Sequence, residues 1–507
     1  MRLREFLALE QVEEAEGNLD QEVTGLAYDS RQVRPGEFFF AVPGEKVDGH
    51  DFIEQAVERG AAGVVVAHKA RWPSGTTWIR TRDVRRTMGL WGATFYGQPG
   101  RRMKLVGVTG TNGKTTVTYL IESILGAAGL KPGVIGTISY RYEAHEVPSH
   151  HTTPESLELQ ALLAKMERDG VQAVAMEVSS HALVQERVRG IDFDVGIFTN
   201  LSRDHLDYHA DMEEYFSAKR RLFTDYLKGS AKARKAAVLY GGDPKGRELL
   251  KEARRAGLAT WSYGEDSEWD IHPLNVRSDV AGLKGQLEIK GAHLDFYSPL
   301  IGAANLQNIL GAVGVGISLG LSADAVAAGI QRLASVPGRL EKIENTRGIS
   351  VLVDYAHTPD ALEKVLSAVR PLAQSRVLTV FGCGGDRDRG KRPLMGQIAA
   401  RLSALLFVTS DNPRTEDPLR IVAEIVDGIQ LTGLKKLENS NSTSERGYRV
   451  EIDRRSAIRM ALRAARPGDL VLIAGKGHED YQILGTKKIH FDDREVAREE
   501  LNRLGGA

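Results

Sequence analysis

Apolar positions along this chain fall into short continuous runs separated by longer stretches in which they recur every third or fourth residue. The first pattern predicts buried strands and the second amphipathic helices, and their alternation predicts α/β layers with mostly parallel sheets. In residues 1–100, runs at 23–28, 37–42 and 63–67 predict strands, and 51–59 predicts a helix with Phe52, Ala56 and Val57 on one face. Turn-rich residues 96–102 have the composition of a linker and end this small unit. Residues 101–337 start with the apolar run 104–109, and further strands are predicted at 134–137, 173–176, 195–198 and 236–240. Between 257 and 300 the period shortens to two, as in Leu287-Glu-Ile-Lys290, which predicts an antiparallel ribbon. Helical spacing returns at 305–319 and 322–333, and Val336-Pro-Gly-Arg339 reads as the exit from this domain. In residues 338–507, strands at 350–354, 377–381, 404–408 and 469–473 alternate with helices. The Ser-, Asn- and Glu-rich stretch 438–446 reads as an exposed connection. Three domains are therefore expected: 1–100, 101–337 and 338–507.

Strand, loop and helix follow most sharply at Lys104-Leu-Val-Gly-Val-Thr-Gly-Thr-Asn-Gly-Lys-Thr-Thr116. Glycines let backbone N–H groups face an anion, and a helix N-terminus adds partial positive charge. Lys114 can reach terminal phosphates and Thr115 can hold Mg²⁺, so Gly110, Thr111, Asn112, Gly113, Lys114, Thr115 and Thr116 read as a phosphate cradle. Its glycine spacing departs from the standard P-loop, because Val108 stands where a glycine belongs and Gly107 sits one place earlier.

Ligands of parallel sheets gather beyond the carboxyl ends of the strands, and the remaining polar motifs fall there. Glu177, in Glu177-Val-Ser-Ser-His181, stands where such sheets often place an acid near Mg²⁺. On the neighbouring loop, Asp204-His-Leu-Asp-Tyr-His209, His205 offers a neutral nitrogen ligand. Four polar loops of the last domain converge on one sheet edge and predict a second site. They are Asp354-Tyr-Ala-His357, the Gly382 to Arg392 loop, Asp411-Asn-Pro-Arg414 and Gly475-Lys-Gly-His-Glu479. Asn305 and Asn308 share a helix face, where amides either cap the helix or read an adenine edge. Asp29, Ser30 and Arg31 read most simply as a turn and cap, with an anion or sugar contact as the alternative. Taken by itself, Lys219 reads as an exposed helical lysine.

Composition narrows the function classes. Of 507 residues, 42% are hydrophobic and 26% charged, as in ordinary globular proteins, and Lys plus Arg equals Asp plus Glu at 67 each. No global basic field exists to attract a nucleic-acid polymer or an anionic membrane, so anion binding must be local. The single cysteine, Cys383, fits a reducing compartment. Acidic residues near the N-terminus (Glu5, Glu10, Glu13, Glu14) are unlike a signal peptide, and no apolar run approaches a membrane span. A cytoplasmic protein without membrane insertion is expected.

Taken together, these motifs resemble the Mur ligases, ATP-dependent amide-forming enzymes of peptidoglycan precursor synthesis. The likeness runs from Asp29-Ser-Arg31 through the phosphate loop, His151-Thr-Thr-Pro154, Glu177-Val-Ser-Ser-His181 and the Asp204 to His209 loop to Asp354-Tyr-Ala-His357 and Gly475-Lys-Gly-His-Glu479. The Asp411-Asn-Pro-Arg414 signature is similar to that of the member adding the third peptide residue, and the glycine spacing at 107–113 is the one the family uses.

The resemblance implies a small N-terminal α/β domain holding UDP, a central P-loop ATPase and a C-terminal Rossmann-like domain carrying the incoming amino acid. It implies ATP and Mg²⁺ as cofactors, and UDP-N-acetylmuramoyl-L-alanyl-D-glutamate and meso-diaminopimelate as partners, with a monomer as the expected state. Ser30 would contact UDP, and Thr152, Thr153, Ser179, Gln185 and Arg187 the muramoyl-dipeptide. Asn305 or Asn308, Arg339 and Asp354 would contact adenine and ribose. Thr115, Glu177, His205 and Lys219 would hold metal, with Lys219 carbamylated by CO₂ and with Lys114, Lys219 and His205 in the catalytic group. Arg414 would take the distal carboxylate of diaminopimelate and Glu479 its distal ammonium, with Asp411, Asn412, Pro413, Arg387 and Gly475 completing the pocket. An L-lysine-adding ligase, a folylpolyglutamate synthetase-like ligase and a nucleotide-gated switch are the competing expectations.

Overall fold

The computed structural model describes residues 1–10, 12–44, 47–69, 75–206, 208–437 and 446–505, so the 438–446 connection, apart from Arg446, lies outside the described residues. Two compact units form: residues 1–264 with 311–326, and residues 265–310 with 327–507.

The first unit contains two sheets. One orders the strands Glu14–Glu16, Thr77–Arg80, Gly63–Val66, Glu37–Phe40 and Gly25–Ala27, parallel except for the first. Period-two alternation sorts its aromatic run: Phe38 and Phe40 pack on Trp91 at ring separations of 5.8 and 5.6 Å, while Phe39 joins Val64 and Val66 on the other face. Trp91 sits on the helix Val84–Phe95, an element the hydrophobic pattern does not single out. The expected helix at 51–59 is a 3₁₀ turn, Gly49–Phe52, leading into Ile53–Glu58.

The second sheet of this unit runs Ala259–Tyr263, Ala236–Tyr240, Val195–Phe198, Lys104–Thr109, Ala173–Glu177 and Pro132–Ile135, all parallel. An antiparallel hairpin, Ser139–Tyr142 and His145–Pro148, extends it. Because Lys104–Thr109 lies between Val195–Phe198 and Ala173–Glu177, the loops leaving all three strands meet at one sheet edge. Gly107 has a packing reason: a Cβ there would stand 2.9 Å from the Phe193 ring and 3.2 Å from Leu222.

In the second unit, the period-two stretch forms the antiparallel ribbon Ile271–Asp279, Gly282–Ile289 and Ala292–Ser298. A six-stranded sheet follows, ordered Glu341–Lys342, Ser350–Asp354, Leu470–Ala474, Val377–Phe381, Leu405–Val408 and Gly447–Val450, parallel after its first strand. Helices Pro359–Val369, Lys391–Leu402 and Pro418–Gln430 cover one face, and Arg454–Ala464 and Asp493–Gly505 the other. With both faces covered, the strands read as unbroken apolar runs, which is why the sequence places them within a residue or so.

At the edge of this sheet away from the polar loops, Asp469 accepts hydrogen bonds from Arg376 Nη2 at 2.6 Å, Arg376 N at 3.0 Å and Arg466 N at 2.8 Å. Burial pushes its carboxyl up, but these donors outweigh burial and hold it below the ordinary value. A depressed carboxylate contributes stability that is full above its unfolded pKa and is lost as pH falls through the folded one. Urea unfolding should therefore find Asp469→Asn weaker by about 2–3 kcal/mol at neutral pH, with the difference shrinking below about pH 4. A difference that stays constant into acid would contradict this account.

Candidate functional site

The phosphate loop is built by steric exclusion. Gly110 has φ +145° and lies so close to Thr199 that a Cβ would stand 1.9 Å from its Oγ1, so only glycine fits. Gly113, at φ +86°, caps the helix Lys114–Ala127. Thr199 Oγ1 and Asn200 Nδ2 donate to the Asn112 carbonyl at 2.6 and 3.1 Å, while Asn200 O and Oδ1 accept from the N–H groups of Thr111 and Asn112 at 2.9 and 3.0 Å. The loop is thus clipped to the end of the adjacent strand Val195–Phe198. Thr115 and Thr116 lie buried on the first helical turn.

Two lysines converge on this loop. Lys114 Nζ donates to the carbonyls of Gly110 and Thr111 at 2.9 Å each, and Lys219 Nζ donates to the same Gly110 carbonyl at 2.9 Å. The exposed position expected for Lys219 from sequence alone is wrong: the residue is 1% exposed and its Nζ lies 4.3 Å from the centre of the Tyr215 ring. Helical spacing explains this, because Tyr215 and Leu222, one turn away on each side, are fully buried. That same periodicity was available in the sequence. Burial, reinforced by the charge of Lys114 and only partly offset by Asp204, holds the Lys219 amine well below the ordinary lysine value.

Around the next strand, Glu177 is buried, with Oε1 accepting from Thr137 N and Oε2 from Thr137 Oγ1, both at 3.0 Å. Thr152 Oγ1 lies 3.1 Å from Thr137 Oγ1. Thr153 Oγ1 donates to the Glu177 carbonyl at 2.9 Å and accepts from Ser179 N at 3.2 Å, and Ser179 Oγ caps the following short helix through Ala182 N. Arg187 reaches Thr153 O at 2.9 Å, Gln185 Oε1 at 2.7 Å and Glu155 at 3.0 Å, and Gln185 Nε2 donates to Tyr208 Oη at 3.3 Å. These residues therefore form one polar network at the sheet edge. His205, at φ +55°, exposes its ring beside His181 at 5.1 Å between centroids and near Tyr215 at 5.9 Å. Asp207 lies outside the described residues.

Ser30 is buried and donates to Gln55 Oε1 at 2.6 Å, while Asp29 caps the 3₁₀ turn Ser30–Gln32 by accepting from Arg31 N at 3.0 Å. In the second unit, Asn308 Nδ2 donates to Asn305 Oδ1 at 3.1 Å, and Asn305 Nδ2 to Ile301 O at 2.9 Å. Arg339 stacks over Tyr355 at 4.8 Å. Asp354 accepts from the N–H groups of Leu340 and Ala356 at 2.8 and 2.9 Å, yet burial still holds its carboxyl above the ordinary value.

The second polar cluster lies at the carboxyl edge of the six-stranded sheet. Arg414, at φ +51°, is gripped through its backbone by the hairpin Tyr481–Leu484 and Lys487–His490: its N–H donates to Ile483 O at 3.1 Å and its carbonyl accepts from Gly485 N at 2.8 Å. Its Nη1 donates to Gly385 O at 2.7 Å. Asn412 Oδ1 accepts from Ile483 N at 2.9 Å, which turns its Nδ2 to Glu479 Oε2 at 2.9 Å. Gly475, at φ +121°, leaves room for Asp411, whose Oδ2 would stand 2.6 Å from a Cβ there. Arg387 is exposed, and its loop is tied down by Asp386, which accepts from Thr415 Oγ1 at 2.8 Å. Sequence reading passed over buried cations here, among them Arg392, paired with Glu416 at 2.8 Å and Glu424 at 2.8 Å, and Lys476. Arg392, with the Asp386 N–H, holds the Glu416 carboxyl down at about 2. Lys476 stands inside a quoted motif, so its signal was present.

Three family models match the chain: "Mur ligase family, catalytic domain" at residues 22–87, "Mur ligase middle domain" at 108–316 and "Mur ligase, glutamate ligase domain" at 338–477. The chain is 51% identical, over 100% of both chains, to a protein of Geobacter metallireducens named UDP-N-acetylmuramoyl-L-alanyl-D-glutamate--2,6-diaminopimelate ligase. A solved structure bearing the same name superposes with a TM-score of 0.73 at 33% identity, covering 99% of each chain. The MurF ligase of Thermotoga maritima, solved in complex with ADP, shares the fold with a TM-score of 0.60 at 19% identity, over 94% of this chain and 96% of the other.

If the Gly110 loop cradles phosphate, Lys114→Ala should lower ATP turnover by about a hundredfold or more while leaving the fold intact, because removing one preorganised charge donor has that magnitude. Circular dichroism beside a phosphate-release assay checks it. Turnover equal to the wild type in a folded Lys114→Ala protein would remove the cradle reading.

Proposed function

The chain belongs to the Mur ligase family, and from that premise we infer that it is the ATP-dependent ligase joining an amine of meso-diaminopimelate to the D-glutamate γ-carboxylate of UDP-N-acetylmuramoyl-L-alanyl-D-glutamate, in peptidoglycan precursor synthesis. The observation that carries this reading is the 51% identity over the whole of both chains with a protein of that name. We assign UDP binding to 1–100, ATP binding to 101–337 and amino-acid binding to 338–507, in line with the separate sheets of the fold. A monomer in the cytoplasm is proposed. Among the described residues no helix is long and apolar enough to cross a membrane.

In this reading the γ-carboxylate takes the terminal phosphoryl group of ATP as an acyl phosphate, and the neutral amine then displaces phosphate. Two anions must meet in the first step. Lys114 offsets their repulsion, and the clipped loop fixes the phosphoryl group in line. Asn305 or Asn308, Arg339 and Asp354 would hold adenine and ribose, and Ser30, Thr152, Thr153, Ser179, Gln185 and Arg187 the UDP-dipeptide.

The donor set fits Mg²⁺. Thr115 and Glu177 offer the hard oxygens that this ion prefers, and each Glu177 oxygen keeps a lone pair beyond its bond to Thr137. His205, a nitrogen donor, fits less well and would stand at the edge of the set. Lys219 as an amine fits Mg²⁺ poorly, but its carbamate would supply oxygens. Carbamylation requires a neutral amine, which burial beside Lys114 favours. Bound there, Mg²⁺ would neutralise charge on the phosphates.

The choice of amino acid rests on Arg414 and Glu479. Diaminopimelate carries a distal carboxylate that lysine lacks, so lysine would leave the Arg414 guanidinium, held by the Gly385 carbonyl, facing no carboxylate, at a cost of a few kcal/mol. Wild type should therefore prefer meso-diaminopimelate over L-lysine by about a hundredfold or more in kcat/KM, and Arg414→Ala should lose most of that preference with little change toward lysine. Equal use of lysine by the wild type would overturn the specificity and leave the ligase reading standing.

Lys219→Ala should be inactive, lowered by about a hundredfold or more, and partly restored by formate or acetate supplying the missing carboxylate. Full activity of the unrescued variant in CO₂-free buffer would refute the carbamate.

A further inference from the structure

Lys476 is fully buried, and each polar group its ammonium reaches belongs to the proposed amino-acid pocket. Nζ lies 3.3 Å from Glu479 Oε2, 3.5 Å from Asn412 Oδ1 and 3.8 Å from Asp411 Oδ1, with the Tyr481 ring centre at 5.4 Å. Gly475 and Gly477, both at positive φ, flank it and turn the chain sharply enough to aim its side chain back under the Asp411 to Arg414 loop. A buried ammonium is costly unless carboxylates and hydrogen-bond acceptors surround it, and here two carboxylates and one amide oxygen do.

We propose that Lys476 is the positioning residue of the amino-acid pocket: it fixes the Asn412 amide and keeps Glu479 a carboxylate, so that an anion meets the distal ammonium of the substrate. The inference rests on the reading of Asp411, Asn412, Arg414 and Glu479 as the diaminopimelate site. With its oxygen held between Lys476 and Ile483 N, the Asn412 amide has one orientation, and its N–H must face Glu479. Burial raises the Glu479 carboxyl, Asp411 raises it further, and Lys476 and the Asn412 N–H oppose them. Arg454, Tyr355 and Tyr481 also feel the Glu479 charge. Arg454 is already committed to Asp493 at 2.6 Å, which leaves Lys476, among the described residues, as the cation in direct contact with Glu479. Without Lys476, burial and Asp411 would push the Glu479 carboxyl further up, toward a neutral acid that meets an ammonium poorly.

The test measures KM for meso-diaminopimelate, ATP and the UDP-dipeptide from about pH 6.5 to about pH 9 in wild type, Lys476→Met, Glu479→Gln and the double variant. Lys476→Met should raise KM for diaminopimelate by about tenfold or more at neutral pH, and the deficit should shrink as pH rises and Glu479 ionises. Its KM for ATP and for the UDP-dipeptide should stay within about twofold. In the double variant the recovery with pH should vanish. Because the double variant removes one charge of each sign, it also serves if Lys476→Met fails to fold: added to Glu479→Gln, the lysine change should then raise KM little further. A deficit independent of pH, an equal loss on all three substrates, or additive effects of the two changes would overturn the proposal. Wild type that shows no turnover with diaminopimelate would instead defeat the functional reading on which the proposal rests.

Discussion

Two lysine side chains, Lys114 and Lys219, end on one oxygen, the carbonyl of Gly110. Two ammonium ions sharing an acceptor in a buried corner repel strongly, so the arrangement holds only if one is neutral or an anion joins them. Much of the first unit serves this contact. Gly110 must turn its carbonyl toward both lysines while leaving no room for a Cβ against Thr199, so its conformation and its identity are one constraint. Asn200 and Thr199 brace the loop from the adjacent strand, and the helix Met212–Arg221 must present Lys219 on its buried face beneath Tyr215. A π-helical turn, Leu222–Leu227, follows at once, a local irregularity of the kind that often accompanies functional positions. Phosphate oxygens, or a carbamate on Lys219, would relieve the repulsion that the fold builds in.

The second unit uses the same logic with the signs arranged differently. Its polar loops are held by commitments among themselves: Arg414 to the hairpin and to Gly385, Asn412 to Ile483 and Glu479, and Arg392 to Glu416. Gln482 adds a buried amide that donates to the Asp411 carbonyl at 2.6 Å. Side chains fixed in this way would lose little freedom to a ligand bound among them, so charge pairing would limit its recognition more than ordering. His478, held near 3 by burial and by Arg339 and Arg494, stays neutral beside them.

How much of this was legible follows from what each signal measures. The parallel strands of both large sheets are buried on both faces, so their apolar runs announce them; the ribbon expected over 257–300 forms at 271–298, while Ala259–Tyr263, counted in it, is instead a parallel strand of the central sheet. Val84–Phe95 and the hairpin at 481–490 were passed over: neither opens a continuous apolar run, and the hairpin strand Lys487–His490 is wholly exposed. Motifs at strand ends lie together at the carboxyl edges of the sheets because sheet topology carries them there. Burial of single polar residues was harder. Lys219 and Lys476 are buried lysines, and a composition rule that sends lysine to the surface misplaces the first and overlooks the second. What redeems them is pattern: Tyr215 and Leu222 at helical spacing around Lys219, and two glycines around Lys476.

The central claim is that three substrates meet on this chain and that phosphate leaves only when all three are present. Phosphate release should therefore be measured with purified protein, ATP and Mg²⁺ while UDP-N-acetylmuramoyl-L-alanyl-D-glutamate is crossed with meso-diaminopimelate, L-lysine and no amino acid, under one fixed set of conditions. The account predicts fast release with the dipeptide nucleotide and meso-diaminopimelate together, and near-background release when either is left out. Release that proceeds equally without the amino acid or without the UDP-dipeptide would contradict it and point to a nucleotide-gated switch.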